Sequence, residues 1–191
     1  MLFNSPEYIF LFLPFVTLCY FGSIRICNQK VGNFFLLFLS ILFYSYTSYN
    51  YLLLITFSVI ANYFIGDKIQ KLRSNSKNGQ ISNKLQFAIC SGIAFNIVLL
   101  GYFKYANFFI EIINLTSGAS YSLLELALPL AISFYTFQQL TYLVDCYHGR
   151  IDKSIFTDYC FFVLFFPKLI AGPIARYHEI IPQLSQKTRD R

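Results

Sequence analysis

Charged side chains are scarce in this 191-residue sequence, and tryptophan is absent altogether. Only 13% of the residues are charged and 56% are hydrophobic, whereas an ordinary soluble protein has about 25% charged residues. So few charges cannot cover the surface of a water-soluble fold, and the surplus apolar side chains need a non-aqueous neighbour. The composition therefore predicts an integral membrane protein whose first partner is the lipid bilayer.

Metal-binding patterns and the common catalytic motifs are also missing. The two histidines, His148 and His178, form no metal-binding pair at helical spacing, and each is interpreted as an interfacial side chain. The five cysteines form no C-x-x-C pair, so neither a disulfide framework nor a zinc site is indicated. No G-x-S-x-G elbow, P-loop or dinucleotide fingerprint occurs. We therefore expect no metal and no bound cofactor.

The basic residues lie in short segments between long apolar runs. They outnumber the acidic residues by 15 to 9, but they form no stripe on a polar surface, which disfavours nucleic-acid binding. The largest excess of positive charge is in the loop 67–86, where Lys68, Lys71, Arg73, Lys77 and Lys84 face only Asp67. The positive-inside rule places this loop in the cytoplasm, and counting back three crossings puts the N-terminus outside the cell membrane.

Five apolar runs suit full or short membrane-crossing helices. They cover residues 8–24, 34–46, 50–65, 87–103 and 124–144. A sixth run, 159–172, is too short for a regular crossing and contains Pro167, so a re-entrant or interfacial segment is predicted there. The predicted fold is an all-α integral membrane protein, a single multi-pass transmembrane helix bundle with this segment near its C-terminus.

Polar residues recur within the last of the long runs. Ser133, Thr136, Gln138 and Thr141 cannot all face lipid at low cost. They must face other helices or a water-lined cavity. Interhelical hydrogen bonding and a functional cavity both fit this pattern.

A second unusual stretch covers residues 165–177. Pro167 and Pro173 bracket a short segment in which a regular helix must break or kink. Broken backbone at membrane depth is tolerated only against protein or a cavity. Lys168 and Arg176 flank the segment and suit an anionic group, such as a phosphate-bearing acyl donor or, equally, lipid headgroups.

The resemblance to a known family rests on these two stretches, LPLAISFYTFQQLTYLVDCYHGR and FFPKLIAGPIARY. They resemble the paired motifs of the membrane-bound O-acyltransferases, in the branch of bacterial alginate and other polysaccharide O-acetyltransferases. The segments LFYSYTSYNYLLLITFSVIANYFIG and LLGYFKYANFF follow the same pattern in the same order. The sequence departs from the pattern at Ala131, where glycine is usual, and at His148, where arginine or lysine is common.

The resemblance implies an enzyme that transfers an acyl group, expected to be acetyl, to hydroxyl groups of an extracytoplasmic polysaccharide. It also implies a cytoplasmic acyl donor, either acetyl-CoA or a carrier-protein thioester, and an extracytoplasmic acetyl-transfer protein as a partner. Family members continue with further membrane helices, where their essential histidine lies. The resemblance therefore implies that the chain is an N-terminal portion, that the catalytic histidine lies beyond Arg191, and that residues 1–191 alone are inactive.

Five residues are predicted to line or shape the cytoplasmic substrate path, without a catalytic role. They are Gln138, Asp145, Arg150, Lys168 and Arg176. Two other functions stay open: a non-catalytic membrane scaffold or partner-binding fragment, and a small transporter whose polar helix faces line a pore. The sequence contains no internal repeat, which disfavours a transporter built from duplicated halves.

Overall fold

Helices form all the regular secondary structure in the part of the chain that the structure describes. That part, taken from a computed structural model, consists of residues 5–75, 82–151, 153–172 and 176–185. No strand occurs within those ranges, which confirms the prediction of an all-α protein. In chain order the helices are α1 (Leu13–Ile26), α2 (Gln29–Ser48), α3 (Leu52–Ser74), α4 (Asn83–Leu100), α5 (Ala106–Ser117), α6 (Ile132–His148), α7 (Phe156–Leu164), α8 (Phe166–Ala171) and α9 (Tyr177–Ser185).

Three continuous helical stretches are long and apolar enough to cross a membrane. They are Tyr8–Ile26, Tyr49–Ser74 and Asn83–Ser117. The first adds the π-helical turn Tyr8–Phe12 to α1, and the third joins α4 to α5 through the π-helical turn Gly101–Tyr105. Leu53 and Phe87, on the outer faces of these stretches, are 82% and 74% exposed. Apolar surface of this extent requires a lipid neighbour, and the protein is a multi-pass membrane protein.

The predicted crossings 8–24 and 50–65 lie inside the first two of these stretches, and 87–103 lies inside the third. Residues 34–46 lie inside α2, which is 20 residues long. A single 3₁₀ turn, Tyr49–Tyr51, separates α2 from α3. That α2 and α6 also cross the membrane stays a prediction.

The helix predicted over residues 124–144 begins later than expected. Residues 118–129 are irregular, and α6 starts only at Ile132. The side chains of Asn107 and Asn114 in α5 exchange hydrogen bonds of 2.8–2.9 Å with the backbone of the irregular segment. These side chains satisfy the N–H and carbonyl groups of Tyr121 and Leu124, which no helix pairs.

Ala131, the residue before α6, has a left-handed backbone conformation with a φ of 58°. Glycine adopts this conformation freely, whereas a Cβ atom there crowds the following carbonyl at a cost of about 1–2 kcal/mol. Glycine is usual at this position in the family pattern described in the sequence analysis. The structure therefore gives a physical reason for that preference.

Replacing Ala131 with glycine is expected to raise the free energy of unfolding by about 0.5–1 kcal/mol, because relief of the left-handed strain exceeds the added chain entropy. Thermal unfolding in detergent measures the change. Ala94→Gly is the matched control, since Ala94 is exposed in the middle of α4 and its loss should destabilise the helix by about 1 kcal/mol. Destabilisation of both variants would contradict the prediction.

The main core lies where α6 packs between α3 and α4. Gly66 of α3 faces the ring of Tyr142 in α6, and Gly92 of α4 faces Leu143. Side chains at either glycine would meet atoms of α6 at less than van der Waals separation. The two glycines therefore let both helices approach α6 closely, as small residues do in membrane bundles.

A buried polar cluster joins the same three helices. Ser58 and Asn62 of α3, Asn96 of α4 and Gln139 of α6 are all at most 1% exposed. Ser58 Oγ and Asn62 Nδ2 donate to Gln139 Oε1 over 2.9 and 3.1 Å. Asn62 and Asn96 exchange two hydrogen bonds, of 3.2 and 2.6 Å. One interpretation of the polar residues in α6 was hydrogen bonding between helices. The structure shows such bonds, and Gln139 accepts them from α3.

The three C-terminal helices fold back on the bundle. α7 and α8 have nine and six residues, and each is too short to cross a membrane. Phe166, the first residue of α8, packs against Phe12 and Phe43, with ring centroids 5.3 and 5.4 Å apart. α9 then lies against α6 and α7. α8 therefore contacts the N-terminal helix pair, while α9 returns to the end of α6.

The break predicted between Pro167 and Pro173 coincides with the end of α8 at Ala171, and a further break at Phe165 separates α7 from α8. Pro167 occupies the first turn of α8, where a missing backbone N–H costs no helical hydrogen bond. Pro173 lies outside the described residues. The re-entrant insertion of this segment into the bilayer stays a prediction.

Candidate functional site

A buried carboxylate lies in the last turn of α6. Asp145 is 2% exposed, and Nη1 of Arg150 lies 2.8 Å from its Oδ1. Nη1 of Arg176 lies 4.0 Å from the same oxygen, and Nδ1 of His178 lies 3.2 Å from Oδ2. Two guanidinium groups and an imidazole thus surround one carboxylate. Guanidinium groups that are partly exposed in this way can also bind an anionic ligand.

The turn after α6 positions Arg150. Gly149 ends the helix with a φ of 71°, and the N–H of Arg150 donates to the carbonyl of Asp145 over 2.9 Å. Arg73, near the end of α3, donates to the carbonyl of Tyr147. A side chain at residue 149 would collide with the Arg73 guanidinium. Glycine is thus required there both by the left-handed backbone and by the close approach of Arg73.

The segment that follows this turn is anchored by a buried hydrogen-bond network. The hydroxyl oxygens of Ser154 and Tyr142 are 2.7 Å apart. Gln70 of α3 donates to Ser154 Oγ and to Cys146 Sγ, each over 3.1 Å. Since these side chains come from α3, α6 and the segment after α6, the network holds the backbone around Asp145 in place.

The first turn of α9 brings Arg176 and His178 to Asp145. The backbone N–H of Arg176 donates to Glu179 Oε2 over 3.0 Å, which is half of a capping box. Tyr177 is 5% exposed and packs its ring against Tyr142 of α6. Burial raises the pKa of the Tyr177 phenol, so the side chain stays neutral and acts as an apolar anchor for α9.

Lys168 is 7% exposed and belongs to α8. Its Nζ lies 4.2 Å from the centre of the Phe162 ring, in a cation–π contact. Glu179 of α9 is its acidic electrostatic neighbour. Lys168 therefore links α8 to α7 and α9.

Gln138 lies two helical turns before Asp145 on the same face of α6, about 10 Å along the helix axis. It is 2% exposed, and its Oε1 accepts no hydrogen bond from any residue that the structure describes. Thr136, on the same helix, has a buried hydroxyl that likewise lacks a partner in the described ranges. Unpaired buried groups of this kind are costly, and they suit a polar ligand.

Proteins of similar sequence are bacterial O-acetyltransferases. The chain is 35% identical to a peptidoglycan O-acetyltransferase of Helicobacter pylori over 98% of its own length. It is 33% identical to the probable alginate O-acetylases of Pseudomonas aeruginosa and Pseudomonas putida, again over 98% of its length. The chain is homologous to one part of each of these O-acetyltransferases.

The homology covers a limited part of each of these relatives. The chain spans 39% of the length of the Helicobacter protein, and 35% and 38% of the two Pseudomonas proteins. No family model matches the sequence. No solved structure matches it.

The structure brings together three of the five residues predicted for a substrate path. Asp145 and Arg150 of the first motif stretch meet Arg176 of the second. The other two residues lie outside this cluster. Lys168 is in α8, and Gln138 is two turns before Asp145 in α6. Sequence reasoning missed His178 as a partner of Asp145, because no local pattern signals a contact between residues 33 positions apart. The function of all five stays a prediction.

Proposed function

We propose that this chain forms the donor-binding side of a membrane-bound O-acyltransferase that acetylates hydroxyl groups of an extracytoplasmic polysaccharide. The observation that carries the proposal is the homology, over 98% of the chain, to a peptidoglycan O-acetyltransferase and to probable alginate O-acetylases. The proposed donor is acetyl-CoA or a carrier-protein thioester. Both carry phosphate, which guanidinium groups bind well.

The proposed orientation has the N-terminus outside and the segment 67–86 in the cytoplasm. This segment was predicted as a loop, but the structure extends α3 to Ser74 and begins α4 at Asn83, so its two ends are helical. In support of the orientation, the contact between Arg73 and the carbonyl of Tyr147 puts the ends of α3 and α6 on the same side of the bundle. Helix connectivity assigns to that side Arg25, Lys30, Lys68, Lys71, Arg73, Lys84, Arg150, Lys153 and Arg176. Of the described lysines and arginines, only Lys104 is assigned to the opposite ends, whereas acidic residues occur on both sides. This asymmetry favours a cytoplasmic location for the Asp145 cluster.

Arg176 is the proposed ligand for a donor phosphate. Arg150 already pairs with Asp145 over 2.8 Å, whereas Arg176 lies 4.0 Å away with its side chain 49% exposed. In the reaction, a base removes the hydroxyl proton, the acceptor oxygen attacks the thioester carbonyl, the C–S bond breaks, and the thiolate of the donor leaves and takes up a proton. We assign the described residues to donor binding and none of them to proton removal. An acetyl-transfer protein is the proposed partner on the extracytoplasmic side.

Substituting Arg176 with glutamine is expected to raise the KM for the acyl donor about tenfold with little change in kcat, because one charge-assisted hydrogen bond to phosphate is lost. The gene is deleted, and wild-type or variant copies are returned. Membranes then receive labelled acetyl-CoA or acetylated carrier, and base-labile acetyl ester on the envelope polysaccharide is measured.

Arg176→Lys should retain most of the donor affinity, and Lys84→Gln, at an exposed lysine in the first turn of α4, should leave it unchanged. Protein levels in the membrane are matched before rates are compared. Unchanged ester content after deletion of the gene would overturn the proposed function. A normal KM in Arg176→Gln would remove only the phosphate-binding role.

A further inference from the structure

An apolar cavity lies between α2, α3 and α7. Its volume is about 350 Å³, and its lining includes Leu37, Ile41, Leu52, Ile55, Val59 and Leu164. None of the ion-paired residues around Asp145 lines it. Phe34 and Ile60 at its rim are 64% and 39% exposed, so the cavity opens sideways from the bundle.

A second cavity of about 580 Å³, lined by both polar and apolar residues, adjoins the apolar one at the start of α2. The two share Phe34, Leu37 and Thr157 as lining residues, and together they are called the lateral cavity here. In the second cavity, Gln29, Lys30, Asn33 and Asp158 supply polar groups, and Ile155, Phe161 and Ile181 supply apolar ones. The lateral cavity is therefore amphipathic, with an apolar interior and a charged mouth.

The apolar part has the length of one bilayer leaflet. Phe34 and Tyr44 of α2 both line it, and ten residues of helix extend about 15 Å, half of the roughly 30 Å hydrocarbon thickness. The charged mouth lies at the helix end that the charge asymmetry assigns to a membrane interface. An acyl chain that starts at the mouth would thus stay within one leaflet.

The two charges at the mouth have opposite signs. Within the described ranges, the side chains of Lys30 and Asp158 form no hydrogen bond and no ion pair. Burial raises the pKa of Asp158, and a bound ammonium group would oppose this shift. A headgroup with one phosphate and one ammonium complements this pair, whereas a net-anionic headgroup would place its charge beside the Asp158 carboxylate.

We propose that the lateral cavity binds one phospholipid with a primary-ammonium headgroup, of the phosphatidylethanolamine class. One acyl chain lies between α2, α3 and α7, the phosphate faces Lys30, and the ammonium group faces Asp158. The lipid thereby fills the space beneath α7 and ties that helix to the α2–α3 hairpin.

The test uses the full chain, purified in mild detergent, delipidated, and titrated with phosphatidylethanolamine or phosphatidylglycerol of identical acyl chains. Native mass spectrometry counts the bound lipid. We expect phosphatidylethanolamine to bind about tenfold more tightly, as loss of a charge-assisted contact predicts. Asp158→Asn should erase this preference, and Lys30→Gln should weaken the binding of both lipids. Glu125→Gln and Lys84→Gln, at exposed residues away from the cavity, should change neither.

Two filling variants test the location of the lipid. Thr157→Phe occupies the junction of the two parts, and Thr56→Phe narrows the apolar part from α3. Both threonines are exposed, so the fold should survive, and we expect each variant to lose at least about tenfold in lipid affinity. Thr17→Phe, at an exposed threonine of α1, should bind normally. Equal lipid binding by all three variants, equal affinity for both lipids, or a dimer that excludes lipid would overturn the proposal.

Discussion

Replacing Asp145 with asparagine is expected to lower the free energy of unfolding by about 1–3 kcal/mol. Removing one partner of a fully buried ion pair costs about 3–5 kcal/mol, but the side chains of Arg150 and Arg176 are 45% and 49% exposed, so water recovers part of that loss. Since Arg176 and His178 both come from α9 or the residue before it, α9 should separate from α6 at lower temperature than the rest of the bundle.

A thiol-reactive dye gives the measurement, because the protein has no tryptophan to report unfolding. Cys146 and Cys160 are buried and become reactive when α6 and α7 open. Asp67→Asn is the matched control, since the ion pair of Asp67 with Lys71 is exposed on α3 and its loss should cost at most about 0.5 kcal/mol. Equal shifts in the two variants would show that Asp145 does not hold α9 in place.

Replacing Gly66 with alanine is expected to destabilise the protein by about 1–3 kcal/mol, as overpacking of a tight core does. A Cβ atom at residue 66 would lie 2.7 Å from Oη and 2.8 Å from Cζ of Tyr142. Tyr142 is fully buried, and its hydroxyl is hydrogen-bonded to Ser154. The ring therefore cannot turn away without breaking that bond, and α3 must separate from α6.

Gly22→Ala is the control for Gly66→Ala. Gly22 lies inside α1, and a Cβ atom there would meet nothing within 4 Å. Alanine at that position should stabilise the helix by up to about 1 kcal/mol through its higher helix propensity. The same dye assay should thus give shifts of opposite sign. A neutral or stabilising effect at Gly66 would show that α3 and α6 are not closely packed there.

The class of fold follows from local properties of the sequence. Runs of apolar residues with few charges predict membrane helices because backbone groups in lipid must be paired within the segment. The predicted start of the helix at residue 124 is wrong, because α6 begins at Ile132. The reason is a set of non-local contacts. Asn107 and Asn114 pair with the backbone of the segment 118–129, and no hydropathy pattern carries that information.

The contacts in the candidate site are also of two kinds, local ones that the sequence predicts and non-local ones that it does not. Asp145 and Arg150 are five residues apart across one turn, so their proximity is a local property. Arg176 and His178 reach Asp145 only because α7, α8 and α9 fold back on the bundle. Likewise, neighbouring residues on a helix point about 100° apart, and the sequence does not show whether Gln138 or Gln139 faces α3.

The mutual pairing of Asn62 with Asn96 has a consequence for biogenesis. Both amides leave the ribosome before Gln139, since 43 residues separate Asn96 from Gln139 and translation needs about 2–9 s for that length. The two hydrogen bonds between the asparagines let the α3–α4 hairpin satisfy its own polar groups during this interval. The hairpin can therefore leave the insertion machinery as a finished unit, and α6 later docks onto amides that are already paired.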